Sequence, residues 1–291
     1  FQVMFPYQLM KKLNGKNMMW APMYDGLNKH GVINFTNNIL RKIFWYQMSS
    51  LGLKVLKFSN KIDEIIGDVD LDTLNLKYYV KTDFTNLDED NKKMNIFFWD
   101  RGGIKFDDWI KHINHEDINE ILYFPIPDYG RNKSNIDNYL KNKDLNITLI
   151  KENFLTKSKF LDLISKCNVF ISPRKKEGIG MTIVEAISRG MFVVGFNAST
   201  LNEYITDQKI GFLFDEKSIN KIDINNIFEN YEFRKSIAQE NYVNWLGQKK
   251  KILPFFNNRL NLRKKLSFKL LFLISDINFL LKKILRINYF Y

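Results

Sequence analysis

The chain has 291 residues, enough for two domains of ordinary size, and its 45% hydrophobic and 15% aromatic content excludes a disordered polymer. The formal charge of +12 is unevenly spread: eight Lys or Arg residues between Arg259 and Tyr291 meet one acid, Asp276. Charge therefore does not mark a nucleic-acid groove along the main body, and no zinc finger or RNA-binding signature accompanies it. A single cysteine, Cys167, excludes a disulfide framework and any cysteine-based zinc site, and suits the reducing cytoplasm. No apolar run of about eighteen uncharged residues occurs, so no transmembrane helix is expected, and no signal peptide is read. The chain starts at Phe1 in mid-pattern, from which missing upstream sequence is expected.

Phe1 to Leu13 reads as a short apolar segment or helix ending near Asn14-Gly15, and Asn17 to Pro22 as a strand. The Gly/Asn-rich loop Met23 to Gly31 follows, carrying Asp25 and His30. Ile39 to Leu51 is expected to be helical with Gly52 as its cap, and Leu53 to Phe58 a strand. Asp63 to Asp72 reads as an acidic helix-to-turn segment and Asn75 to Val80 as a further strand. This is less than a complete Rossmann-like domain, so residues 1–93 read as an incomplete first domain, closed by the charged linker Asp88 to Lys93.

Beyond the linker the alternation is regular. Strands are expected at Asn95–Trp99, Ile121–Pro125 and Ile147–Ile150, with helices at Asp107–Ile113, Asn135–Asn142 and Ser158–Lys166. Such spacing predicts a doubly wound parallel sheet over residues 94–215. Its centre is Val169 to Phe214. An apolar run, Val169 to Ser172, is closed by Pro173 and followed by a polar turn, Arg174 to Glu177. Gly178-Ile179-Gly180 then leads into a helix, Met181 to Arg189, stopped by Gly190 before the strand Met191 to Gly195. A glycine-rich turn feeding a helix N-terminus offers free amides and a positive dipole end, which suits phosphate. Glu177 and Glu185 stand eight residues apart on that unit, so both can face one cleft at the carboxyl ends of the strands. Two carboxylates beside a phosphate site suit a ligand that also carries hydroxyls, such as a nucleotide sugar.

Glu177-Gly178-Ile179-Gly180-Met181-Thr182-Ile183-Val184-Glu185-Ala186, with Gly190 and the strand after it, resembles the E-x7-E signature of retaining GT-B glycosyltransferases of the family 4, group 1 type. Asn202 to Ile205 and Gly211 to Phe214 match that family's run to its last strand. The resemblance implies two Rossmann-like domains facing a cleft, a nucleoside-diphosphate-sugar donor and no metal or other cofactor. It implies that Glu177 contacts the donor sugar, that Glu185 holds the ribose, and that the amides of Ile179 to Thr182 lie near the diphosphate. Arg101 and, at a looser spacing, Lys105 take the place of the cations that neutralise the departing diphosphate. Phe154 and Leu155 fall where the family's loop meets the base, and Asn197 to Thr200 where it also touches the donor. Asp25 and His30 lie on the acceptor side.

Lys217 to Asn244 is expected to be helical, anchored by Phe228, Tyr231 and Phe233. The resemblance gives residues 216–258 the role of helices that return to the first domain. Residues 259–291 alternate apolar blocks with lysines and arginines, the pattern of a basic amphipathic tail that lies in an anionic membrane surface. The acidic run Asp68, Asp70, Asp72 reads as a solvated turn rather than a metal motif, and His112 and His115 as surface helix. The function that follows is transfer of a sugar to a glycan or lipid-linked acceptor for a bacterial surface polysaccharide, such as lipopolysaccharide or capsule, at the inner face of the plasma membrane. The alternative is a catalytically silent sugar-nucleotide-binding or scaffold partner of a polysaccharide assembly complex.

Overall fold

The computed structural model describes residues 18–22, 45, 48, 49, 52–84, 92–142 and 144–257. They form two compact units: Lys77–Lys249, and the described residues before and after that span. Asp25, His30, the linker up to residue 91 and the basic tail lie outside the described residues.

In the first unit, three parallel strands run in sequence order, β1 (Met18–Trp20), β2 (Leu53–Lys57) and β3 (Asp72–Asn75). Helix α1 (Lys61–Ile66) turns Ile62, Ile65 and Ile66 onto Leu53, Val55 and Trp45. β3 replaces the strand expected at Asn75–Val80. It is an exposed edge held by its ladder to β2, whereas the more apolar stretch after it sends Tyr79 into the core of the other unit, edge-on to Tyr204 at 5.4 Å. The chain returns to the first unit in α9 (Ile252–Asn257), where the buried Lys54 ammonium donates to the Phe255 carbonyl at 2.6 Å.

The second unit is a six-stranded, all-parallel sheet in the order β6-β5-β4-β7-β8-β9. Its strands are β4 (Met94–Trp99), β5 (Ile118–Phe124), β6 (Ile147–Leu149), β7 (Val169–Ile171), β8 (Phe192–Phe196) and β9 (Gly211–Phe214). Side chains alternate between the faces, as strand geometry demands. Ile96, Phe98, Ile121, Tyr123, Val169, Ile171 and Val194 build one core with α2 (Phe106–Ile110). Phe97, Leu122, Phe124, Phe170 and Val193 build the other with α4 (Lys157–Ile164) and α5 (Met181–Ser188). Helices on both faces make the sheet doubly wound, and its order reverses between β4 and β7. Ligands bind at such a switch point, outside the carboxyl ends of the strands. The remaining helices are α3 (Asp137–Asn142), α6 (Leu201–Tyr204), α7 (Ile224–Phe228) and α8 (Tyr231–Lys249).

Three further expectations change. Residues 217–223 are not helical, because Asp223 caps α7 by accepting the Asn225 amide at 2.9 Å. Of the expected anchors Phe228 packs against the core, but the buried residues of α8 are Arg234 and Ala238, while Phe233 stays exposed. His112 is not on the surface: its ring is fully buried, 5.1 Å from Phe214, with Nδ1 2.7 Å from the Asn220 carbonyl. No helix among the described residues is long and apolar enough to cross a membrane.

Candidate functional site

Beyond β7 the chain turns sharply. Ser172, fully buried, extends the ladder to Val194 and donates through its hydroxyl to the Arg174 carbonyl at 3.1 Å. Gly180 is left-handed (φ 68°) and accepts the Val184 amide at 3.0 Å, so it sets the first turn of α5. The amides at that N-terminus lack helical partners by geometry, and face the end of the sheet that the strands point to. Gly178 is buried, Ile179 and Thr182 are half-buried and Met181 is half-exposed. Thr200, after β8, reaches across and donates to the carbonyls of Glu177 and Gly178 at 3.0 and 2.9 Å.

Next to this turn, three strand ends converge on one carboxylate. Arg101 follows β4, Asp128 follows β5 and Arg174 follows β7. Arg101 donates to Asp128 through Nε at 2.8 Å and a terminal nitrogen at 2.6 Å, with its guanidinium 4.8 Å from the Trp99 ring. Arg174 grips the same carboxylate by a two-pronged fork, with both bonds at 2.8 Å, and its other terminal nitrogen lies 3.5 Å from Glu177 Oε2. Burial pushes the Asp128 carboxyl up, but the Arg174 hydrogen bonds and the two guanidinium charges outweigh that and hold it below the usual carboxylate range. Asp100, fully buried, fixes the Arg101 turn by accepting from Tyr123 Oη at 2.8 Å, the Ser134 amide at 2.5 Å and the Gly102 amide at 2.9 Å. Gly103 lets the turns touch, because a Cβ there would stand 2.9 Å from Arg174 Cα. Gly102 and Gly103, between Arg101 and Lys105, are thus a packing requirement of this chain.

The other expected residues lie around this centre with different partners. The Lys105 amide donates to the Asp108 carboxylate at 2.8 Å as the cap of α2, and its ammonium donates to the Asn132 carbonyl. Glu185, one turn into α5, has Lys157 Nζ of α4 3.3 Å from its Oε1. In the loop before α4, Leu155 is buried in the core while Phe154 is 79% exposed. Asp128 and Arg174 were missed by sequence reading; the signal available was that each lies within four residues of a predicted strand's carboxyl end. No group of three or more His, Cys, Asp or Glu side chains among the described residues is arranged to hold a metal ion. An open hollow of about 730 Å³ beside α2, lined by Ile110, Ile113, Tyr139, Lys111 and Lys221 among others, contains none of the site residues. What converges at the switch point is two guanidiniums, two carboxylates and a helix N-terminus, a set matched to a ligand bearing both phosphate and hydroxyls.

A family model described as Glycosyl transferases group 1 matches residues 109–243, from α2 into α8. That span contains Asp128, Arg174, Glu177 and Glu185, and leaves out Arg101 and Lys105. Over residues 109–243 the chain is thus similar to that family. Among solved structures, that of TarM is similar with a TM-score of 0.52 and 19% identity, over 77% of this chain and 48% of its own. A structure of S. aureus TarM with Fondaparinux, alpha-GlcNAc-glycerol and UDP is similar at 0.51 and 16%, over 73% of this chain and 45% of its own. Anabaena HepE in complex with UDP is similar at 0.56 and 13%, over 82% of this chain and 72% of its own. The chain spans about half the length of TarM. These likenesses establish the α/β, parallel-sheet GT-B fold. No curated protein matches the sequence.

Proposed function

We propose that the protein is a retaining glycosyltransferase that moves a sugar from a nucleoside-diphosphate donor to a hydroxyl of a glycan or lipid-linked acceptor. The observation that carries this is the meeting of Glu177 with the Arg101–Asp128–Arg174 cluster at the carboxyl ends of β4, β5 and β7, beside the N-terminus of α5. Glu177 positions the sugar hydroxyls and Glu185 the ribose. The amides of Ile179 to Thr182 and Arg101, with a second cation, receive the diphosphate; the family resemblance gives that second place to Lys105. The backbone at Phe154 and Leu155 meets the base. UDP is the first nucleotide to try, since the HepE structure and one TarM structure contain it.

In the reaction, the bond from the anomeric carbon to the diphosphate oxygen breaks and its electron pair leaves on the phosphate. The acceptor oxygen bonds to that carbon on the same face, and its proton passes to the departing phosphate oxygen. Developing charge there is met by side-chain cations and amides, so the step needs neither metal nor cofactor. Asp25 and His30 belong to the acceptor side of this reading. The pathway is assembly of a surface polysaccharide such as lipopolysaccharide or capsule. The basic tail, residues 259–291, holds the protein on the inner face of the plasma membrane, and flotation with anionic but not with neutral vesicles is expected. The test of the reaction is sugar transfer from the donor by wild type and Glu177→Gln. Loss of transfer with an unchanged melting temperature supports the role, and full transfer by the variant refutes it.

A further inference from the structure

Two guanidiniums close to one another repel unless something between them compensates, and here Asp128 does so from the neighbouring strand end. The carboxylate takes two nitrogens of each arginine and so fixes the planes of both. Arg174 is half-buried, 3.5 Å from Glu177, and its backbone is pressed against Gly103 of the Arg101 turn. Lys105, by contrast, is committed to local structure through both ends: its amide caps α2 and its ammonium closes on the Asn132 carbonyl. We propose that Arg174 is the partner of Arg101 at the donor diphosphate, in the place the family resemblance gives to Lys105, and that Asp128 is the residue positioning both. The inference deepens the glycosyltransferase reading and rests on it.

The chemistry favours this pair. A diphosphate presents several oxygens in a plane-like array, and planar guanidiniums held at a set angle meet it with parallel N–H bonds that a lysine ammonium cannot make. Pre-orientation by Asp128 also means that little has to move when charge develops on the departing phosphate. Because Asp128 is held ionised well below neutrality, the arrangement persists across the working pH range. Arg174 then links two tasks, since the same guanidinium faces the diphosphate and steadies Glu177 beside the sugar.

The test is calorimetric titration of the full chain with UDP and, separately, inorganic pyrophosphate, which has no base or ribose to anchor it. Folding is checked by circular dichroism. Arg174→Gln is expected to weaken both probes about tenfold or more, as loss of a charge-assisted hydrogen bond does. Lys105→Gln is expected to bind both within about twofold of wild type, as a residue not touching the ligand would. If Arg174→Gln does not fold, Arg174→Lys carries the test: it keeps the charge but loses the fork, and should still weaken both probes. Asp128→Asn adds one positive charge to the site, so simple attraction would tighten pyrophosphate; a positioning role requires it to weaken. Wild-type-like binding by the folded Arg174 variant, with loss in Lys105→Gln, overturns the proposal and leaves the donor site standing. Tighter pyrophosphate in Asp128→Asn overturns the positioning role. A wild type that takes up neither UDP, any other nucleoside diphosphate nor pyrophosphate overturns the donor reading and this inference together.

Discussion

The Thr200 hydroxyl, on the turn after β8, donates to the main-chain carbonyls of Glu177 and Gly178, so a residue 23 positions away holds the glutamate's backbone in place. Thr200 is itself buried, and nearly isosteric Thr200→Val would leave both carbonyls without that donor. The expected cost is about 1–3 kcal/mol of stability, read from urea unfolding. Sugar transfer should fall more than nucleotide binding does, because the displaced group is the one we propose to position the sugar.

Arg234 is buried and holds four carbonyls: Gly190 at 2.8 Å, Lys209 at 3.2 Å, Asn226 at 3.0 Å, and Ile227. Burial brings its guanidinium down to about 10 from the usual arginine value. It ties α8 to α7 and to the starts of β8 and β9. Arg234→Met should destabilise the fold by about 3 kcal/mol, since it orphans several acceptors at once, and Arg234→Lys should recover only part of that. Midpoints of chemical denaturation decide this, and a variant as stable as wild type would remove the proposed tie.

Much of the second unit was legible in the sequence, because a sheet buried on both faces writes itself as short apolar runs. Val169 to Ile171 and Phe192 to Phe196 are such runs, and Gly180 and Gly190 bracket the helix between them. β3 was not legible: its exposed Asp72-Thr73-Leu74-Asn75 carries no apolar pattern, and only pairing to β2 makes it a strand. The arginine cluster was half legible. Arg101 stood out beside its strand, but Asp128 and Arg174 meet it from 27 and 46 residues apart along the bonds that join them, through a strand order that local sequence does not carry. The burial of His112 did have a signal in Trp109, three residues earlier on the same helical face, outweighed by the expectation of a solvated helix end.

His112 makes stability depend on pH. Burial lowers its pKa, Lys111 and Lys221 push the same way, and the bond to the Asn220 carbonyl opposes them. Its Nε2 has no hydrogen-bond partner among the described residues, so the neutral ring with the proton on Nδ1 is the one that fits. The folded pKa lies below the unfolded one, hence the unfolded chain takes the proton first. This contribution is complete above about pH 6.5 and is lost as pH falls towards the folded value, by at most ~1.4 kcal/mol per pH unit. Denaturation midpoints from pH 7.5 to 5.5 should fall for wild type and fall less for His112→Asn, which keeps a donor near Asn220.

Lys157 and Glu185 form an ion pair at 3.3 Å in which the lysine side chain is 75% exposed. Such a pair contributes little, so Lys157→Gln should change stability by no more than about 0.5 kcal/mol. Any effect should shrink in salt. A loss several times larger, or one independent of salt, would show that the lysine has a structural role beyond the pair.

We infer that the carboxyl ends of β4 to β8 form a nucleotide-sugar donor site. Thermal melting of wild type and Glu185→Gln with UDP, GDP, dTDP and CMP tests it most directly, because no acceptor is needed. A ligand that binds only the folded state adds about 2.7 kcal/mol at a hundredfold excess over Kd. The midpoint of wild type should rise with one nucleoside diphosphate, and that of the variant should rise much less. No rise with any nucleotide, or an equal rise in both proteins, would contradict it.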